Sequence, residues 1–127
     1  MPINVRWADP EKTIVVYEYA GSWTWDELYE ATRTVESWTD GKTHIVPVVH
    51  DLTGSRMLPK DVFFHGQRLS VQLPEGATAV IVGAGSFARI VIDTLRRLNR
   101  SFEQQYKTAS TLDEAVALIK KEPKPQP

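Results

Sequence analysis

The sequence predicts an α/β domain: a mixed four- to five-stranded sheet with a leading hairpin, later parallel strands and four helices. Three observations carry that prediction. Two apolar runs, Ile45–Val49 and Ala77–Val82, each end in a small-residue turn. Runs apolar at successive positions read as strands covered on both faces, which marks a parallel sheet between crossover helices. Residues 3–7 alternate apolar and polar instead, the period of a half-buried strand, and segments of helical spacing with end signals stand between the strands.

At the N-terminus, Ile3-Asn4-Val5-Arg6-Trp7 alternates, and Ala8-Asp9-Pro10-Glu11-Lys12 is turn chemistry. There Pro presets φ and Asp offers a local acceptor. Thr13–Tyr19 is β-branched and aromatic, so residues 3–19 read as a hairpin, closed by Gly21-Ser22. The first helix begins near Thr24, which with Glu27 fits a capping box. Leu28, Ala31, Val35 and Trp38 follow at helical spacing, and Asp40-Gly41 ends the helix. A strand is expected at Val46–Asp51, with Pro47 at its start or on an exposed side, because Pro cannot donate a ladder hydrogen bond.

Pro59 suits the first turn of the second helix. Val62, Phe63, Gly66 and Leu69 form its apolar stripe, and Pro74-Glu75-Gly76 stops it. The strand Ala77–Val82 runs through Gly83–Ser86 into the third helix. There Phe87, Ile90, Val91, Thr94, Leu95 and Leu98 are expected to face inward, and Arg89, Asp93, Arg96, Arg97 and Arg100 outward. A short strand near Gln105–Thr108 precedes the fourth helix, which Thr111 and Glu114 cap and whose buried stripe is Leu112, Ala115, Val116 and Ile119. The order is ββαβαβαβα in one domain, residues 1–121. Residues 122–127, charged and rich in proline, are expected to be a disordered tail.

Composition narrows the function classes. A chain of 127 residues with 42% hydrophobic content is one globular domain. A formal charge of -1 gives no overall attraction to nucleic acid, so no nucleic-acid partner is expected. The charge is uneven: residues 1–61 carry 6 Lys/Arg against 10 Asp/Glu, and residues 62–127 carry 9 against 6. Without cysteine there is no disulfide, thiol catalysis or Cys-based metal site. The N-terminus lacks the basic and apolar regions of a signal peptide, and no apolar run approaches the roughly 20 residues that span a bilayer. The cytoplasm is the expected compartment.

In open α/β sheets, ligands and partners meet the loops beyond the carboxyl ends of the strands. Two such tips stand out. Gly83-Ala84-Gly85-Ser86-Phe87-Ala88 matches the dinucleotide pattern G-x-G-x-x-G/A between a strand and a helix. Only about 40 residues follow it, however, and the next strand lacks the acidic residue that would hold a ribose. The glycines then serve a tight turn and close helix–strand packing, with a generic anion site at the Gly85–Phe87 amides as the other reading. The second tip is His50-Asp51-Leu52-Thr53-Gly54-Ser55. Strand neighbours point to opposite faces, so His50 and Asp51 do not form a pair. Asp51 or Thr53 is read as capping free backbone amides. Trp23 and Trp25 flank the start of the first helix, either as a staple or, where exposed, as anchors for a partner or apolar ligand. Arg89, Arg96 and Arg100, at i, i+7 and i+11, suit a solvated face or an acidic partner.

From about Val5 to Lys121 the chain resembles the STAS domain, in its SpoIIAA-like branch, which anti-sigma-factor antagonists and the cytoplasmic tails of sulfate transporters carry. The likeness lies in the leading hairpin, the Gly21-Ser22-Trp23-Thr24-Trp25-Asp26 approach to the first helix, and the strands ending in His50-Asp51-Leu52-Thr53-Gly54 and Gly83-Ala84-Gly85. The resemblance implies a non-catalytic module that binds proteins, with nucleotide or lipid binding in some relatives. Where bacterial antagonists carry a phosphorylated serine, this chain has Arg56-Met57-Leu58-Pro59-Lys60-Asp61, without a hydroxyl.

The expected function is capture of a protein partner by strand-end loops and adjacent helices, with no cofactor and no metal. The candidate contact residues are Asp51, Thr53, Gly54, Ser55 and Arg56, Gly83, Gly85 and Ser86, and Trp23 and Trp25. The Thr53–Arg56 loop is read as an interface element. A monomer or a homodimer paired through the hairpin edge is expected. One rival is a carrier of a small anionic or apolar ligand, with Trp23, Trp25, Phe63 and Phe64 lining a groove between the first two helices. The other is a small enzyme, for which only His50, Asp51 and His65 are available.

Overall fold

Four parallel strands deliver their carboxyl ends to one rim of a five-stranded sheet, while the N-terminal strand closes the first edge antiparallel to its neighbour. The structure, a computed structural model, describes residues 2–40, 45–73 and 76–121. Its elements are β1 Ile3–Trp7, β2 Val15–Gly21, α1 Trp25–Thr39, β3 Val48–Ser55, α2 Val62–Gln72, β4 Ala79–Val82, α3 Ser86–Leu98, α4 Arg100–Gln105, β5 Tyr106–Ala109 and α5 Leu112–Lys121. The sheet order follows the chain, β1-β2-β3-β4-β5.

Alternation along the strands splits the core in two. Val15, Tyr17, Tyr19, Val48, Ala79, Ile81 and Tyr106 face the side roofed by α1 to α4. Val16, Val49, Val80 and Val82 face the other side, where α5 lays down Leu112, Ala115, Val116 and Ile119. Five of the β2–β4 valines, at 15, 16, 49, 80 and 82, are 0–2% exposed, as expected of strands covered on both faces.

Local signals explain most boundaries. Asp9 accepts from the amides of Thr13 (2.9 Å) and Ile14 (3.3 Å), which fixes the first turn. At α1, Thr24 Oγ1 accepts from the Glu27 amide (3.2 Å), and Glu27 Oε1 accepts from the Thr24 amide (2.9 Å), completing the capping box. Thr111 Oγ1 likewise accepts from Glu114 N at α5 (3.1 Å). The Gly41 cap, the Pro74-Glu75 stop and the 122–127 tail lie outside the described residues.

Five expectations are corrected. Strand β3 continues past Asp51 to Ser55, because Ala20 and Gly21 pair with Gly54 and Ser55 beyond a register shift at which β3 carries one residue more than β2; Thr53–Ser55 is strand, not loop. Helix α2 starts at Val62 rather than around Pro59, since Asp61 adopts the left-handed conformation (φ 64°) and cannot continue a helix backward. A short fifth helix, α4, fills the gap before β5, capped by Asn99 Oδ1 accepting from Phe102 N at 3.2 Å. Finally, α3 buries Ala88, Val91, Ile92 and Leu95 and leaves Phe87, Ile90 and Leu98 in solvent, 60%, 62% and 70% exposed. Both stripes obey helical spacing and share Val91 and Leu95, so periodicity alone could not choose between them. The small Ala88 lets the helix approach the sheet on its own side. Phe63, on α2, is also exposed.

The turn after β4 is tight for a steric reason. Gly83 has φ +68°, and a Cβ there would lie 2.9 Å from Thr53 Cα and 3.0 Å from Thr53 N. Gly85 has φ -72° and open space around it. Gly83→Ala should therefore cost about 1–3 kcal/mol in urea unfolding, and Gly85→Ala less than about 1 kcal/mol. Equal costs would contradict this division of roles.

Candidate functional site

The parallel strands bring the two sequence-identified tips side by side, since Asp51 is level with Val82 and Gly83 packs on Thr53. At the first tip, Asp51 Oδ1 accepts from the Thr53 amide (3.0 Å), a local cap of the kind Asp makes in turns. Gly54 and Ser55 are tied into the fold. A Cβ on Gly54 would meet Tyr19 O at 2.7 Å, and Ser55 Oγ accepts from Trp23 Nε1 at 2.9 Å. Bulky replacements there would disturb β2 as well as any interface. The Arg56 side chain is exposed while its amide donates to Gly21 O (3.0 Å). Gly85 and Ser86 are exposed at the start of α3.

The two tryptophans do not stand out in solvent. Trp23 is buried, 5% exposed, and Trp25 is half-buried, its Nε1 donating to Lys60 O (2.5 Å) and its ring stacked on His65 at 4.6 Å. Both instead line a cavity of about 420 Å³ between the sheet and helices α1, α2 and α3. Sites for small molecules span about 300–1,000 Å³. Phe63 and Phe64 are not part of this lining; both are on the outside of α2.

One polar cluster stands on the cavity floor. Tyr17 and Tyr19 alternate along β2, His50 comes from β3 and Tyr106 from β5, all on the same face of the sheet. Tyr19 Oη and His50 Nδ1 share a hydrogen bond of 2.7 Å, and the His50 ring lies 4.6 Å from that of Tyr17. Burial pushes the His50 imidazole down to about 4. Burial also raises the phenols of Tyr17, Tyr19 and Tyr106 above their ordinary value. At neutral pH the cluster is thus polar but uncharged. Sequence reasoning treated these tyrosines as strand residues only; the signal present was the i, i+2 tyrosine pair in β2.

The acid–base candidates named from the sequence, His50, Asp51 and His65, are engaged separately. His50 pairs with Tyr19, Asp51 with its own turn, and His65 Nδ1 with Tyr29 Oη at 2.7 Å. Among the described residues no three His, Asp or Glu side chains are grouped to hold a metal, and no helix is long and apolar enough to cross a membrane.

The depressed His50 value has a consequence for stability. The unfolded imidazole titrates near 6.5 and the folded one near 4. As pH falls through that window the unfolded chain takes up a proton that the folded chain does not, so stability is lost, approaching roughly 3 kcal/mol at its lower end. Urea unfolding between about pH 7.5 and pH 5 should show a loss of about 2 kcal/mol that His50→Gln removes. The same loss in both proteins would contradict a neutral, buried imidazole.

Comparison with known proteins bears on the fold. No family model matches the chain, and no curated protein matches it. Among solved structures, an uncharacterized protein of the DUF3478 family with a SpoIIAA-like fold, from Shewanella loihica, is similar with a TM-score of 0.64 at 15% identity, over 92% of this chain and 91% of that one. A Ser-to-Glu variant of RsbS from Moorella thermoacetica gives 0.60 at 15% identity, over 94% and 96%. The likeness runs nearly end to end in both, and at this identity it is a likeness of fold. The chain has the SpoIIAA-like fold, an α/β architecture on a five-stranded mixed sheet.

Proposed function

We propose that this chain is a non-catalytic regulatory module of the STAS, SpoIIAA-like type that captures a protein partner on the strand-end rim and the outer face of α3. The observation that carries this reading is the exposed row Phe87, Ile90 and Leu98, on a helix that begins at the Gly83–Gly85 tip. An amphipathic helix normally keeps its large apolar side chains on one buried stripe. Here a second apolar stripe faces water, and contiguous exposed apolar surface marks interaction sites. Phe63 and Phe64 add exposed aromatic surface on α2, which packs beside α3.

Charge selects the partner's chemistry. Arg89 and Arg97 on α3 and Arg100 just beyond it are exposed, against the single exposed acid Asp93 on that helix. A partner presenting an apolar patch edged by carboxylates fits that surface. The exposed rim residues Thr53, Arg56 and Ser86 stand at the end from which α3 departs. A non-enzymatic role is supported by the separate engagement of His50, Asp51 and His65.

The test is a parallel affinity capture with the wild type, Ile90→Asp, and Arg33→Glu on the exposed side of α1. Ile90→Asp should lose the proteins that the other two retain, while its folding stability changes by no more than about 1 kcal/mol. Retention of the same proteins by a folded Ile90→Asp would sink the proposal.

A further inference from the structure

We propose that the space between the sheet and helices α1 to α3 binds one uncharged, mainly hydrocarbon or aromatic molecule bearing a hydroxyl or carbonyl, its polar end seated among Tyr17, Tyr19, His50 and Tyr106. This site is separate from the outer face of α3, and the proposal does not rest on partner capture there.

Size and lining define the molecule. A volume of about 420 Å³ is that of a small-molecule site rather than a packing defect. Leu28, Leu52, Leu58, Leu69 and Leu95 are among the aliphatic side chains around it, a lining that favours hydrocarbon over water. Trp23 and Trp25 form one end, their rings 5.0 Å apart and edge to face.

The hydrogen-bonding capacity is concentrated at one place. Each phenol can donate and accept. The Tyr17 hydroxyl reaches Thr32 Oγ1 only at 3.5 Å, too long to satisfy it fully. Tyr19 and His50 already share a bond, which orients both groups. A ligand hydroxyl or carbonyl arriving here finds donors and acceptors that need no rearrangement.

Charge excludes the commonest alternative. No Lys or Arg is among the described lining residues, and the only acidic side chain among them is Glu36. Burial keeps the histidine and the tyrosines neutral. A fatty acid anion or a nucleotide would bring its charge into a cavity with no cationic side chain among the described lining residues and lose its hydration without return. A neutral amphiphile suffers no such penalty.

The probe is N-phenyl-1-naphthylamine, an uncharged dye whose emission rises in apolar surroundings, competed by 1-dodecanol and by dodecanoate. The full chain should enhance the dye's emission, and dodecanol should displace it at concentrations at least about tenfold lower than dodecanoate. Leu52→Trp and Leu58→Trp each put an indole into the cavity and should weaken dye binding about tenfold or more while the chain stays folded. Tyr106→Phe should weaken dodecanol more than the dye. The indole N–H signals of Trp23 and Trp25, followed by NMR during a dodecanol titration of the wild type, give a readout independent of any variant. No dye enhancement, equal competition by dodecanoate, undiminished binding in a folded Leu52→Trp or Leu58→Trp, or unmoved indole signals would each overturn the proposal.

Discussion

Unequal covering of the two faces of one sheet governs this structure. Strands β2, β3 and β4 bury Val16, Val49, Val80 and Val82 on one face, and on the other Val15, Val48, Ala79 and Ile81 together with the larger, partly polar Tyr17, Tyr19 and His50. On the valine face the ten-residue helix α5 lies flat with Ala115 fully buried, and the contact is close because the side chains are small and uniform. On the opposite face Tyr17, Tyr19, His50 and Tyr106 rise from the sheet, and α1, α2 and α3 must span them. The roof stands off the sheet here, and the partly open space beneath it is apolar around one polar island.

The same division assigns two roles to α3. Its inner stripe, Ala88, Val91, Ile92 and Leu95, closes the cavity, and its outer stripe, Phe87, Ile90 and Leu98, meets solvent. The helix starts from a turn that only glycine fits, because Gly83 is pressed against Thr53 of the adjacent strand. The rim, the outer stripe and the cavity wall thus share one rigid element. Buried, hydrogen-bonded polar groups such as Tyr19 and His50 hold the floor beneath it in a single arrangement.

Much of the fold was legible in the residues. The Thr24–Glu27 and Thr111–Glu114 spacings marked helix starts to within a residue, because capping is a local interaction. The two runs rich in β-branched residues marked the central parallel strands for an equally local reason, no charged side chain interrupting them, although β3 begins only at Val48. What was not legible depended on the third dimension. Either stripe of α3 could have faced inward, and the choice was made by where the sheet lay. Residues 100–105 are too few to show a helical period, so α4 left no pattern. The continuation of β3 through Gly54-Ser55 required knowing that Ala20-Gly21 would pair with it. The candidate site divides likewise: the rim followed from strand topology, whereas the cavity depends on a distance between layers that no spacing in the chain encodes. Trp23 and Trp25, for which the sequence allows a staple, an exposed anchor or the lining of a groove between the first two helices, stand in the wall of that cavity.

The standing-off of the helical roof is most directly tested by xenon, which enters dry apolar cavities without needing a polar contact. A crystal structure under xenon pressure should show the gas between Leu95 and the aromatic floor of the sheet, with the valine face beneath α5 empty. A close-packed interior with no xenon on the tyrosine face, or xenon bound under α5 instead, would contradict the account.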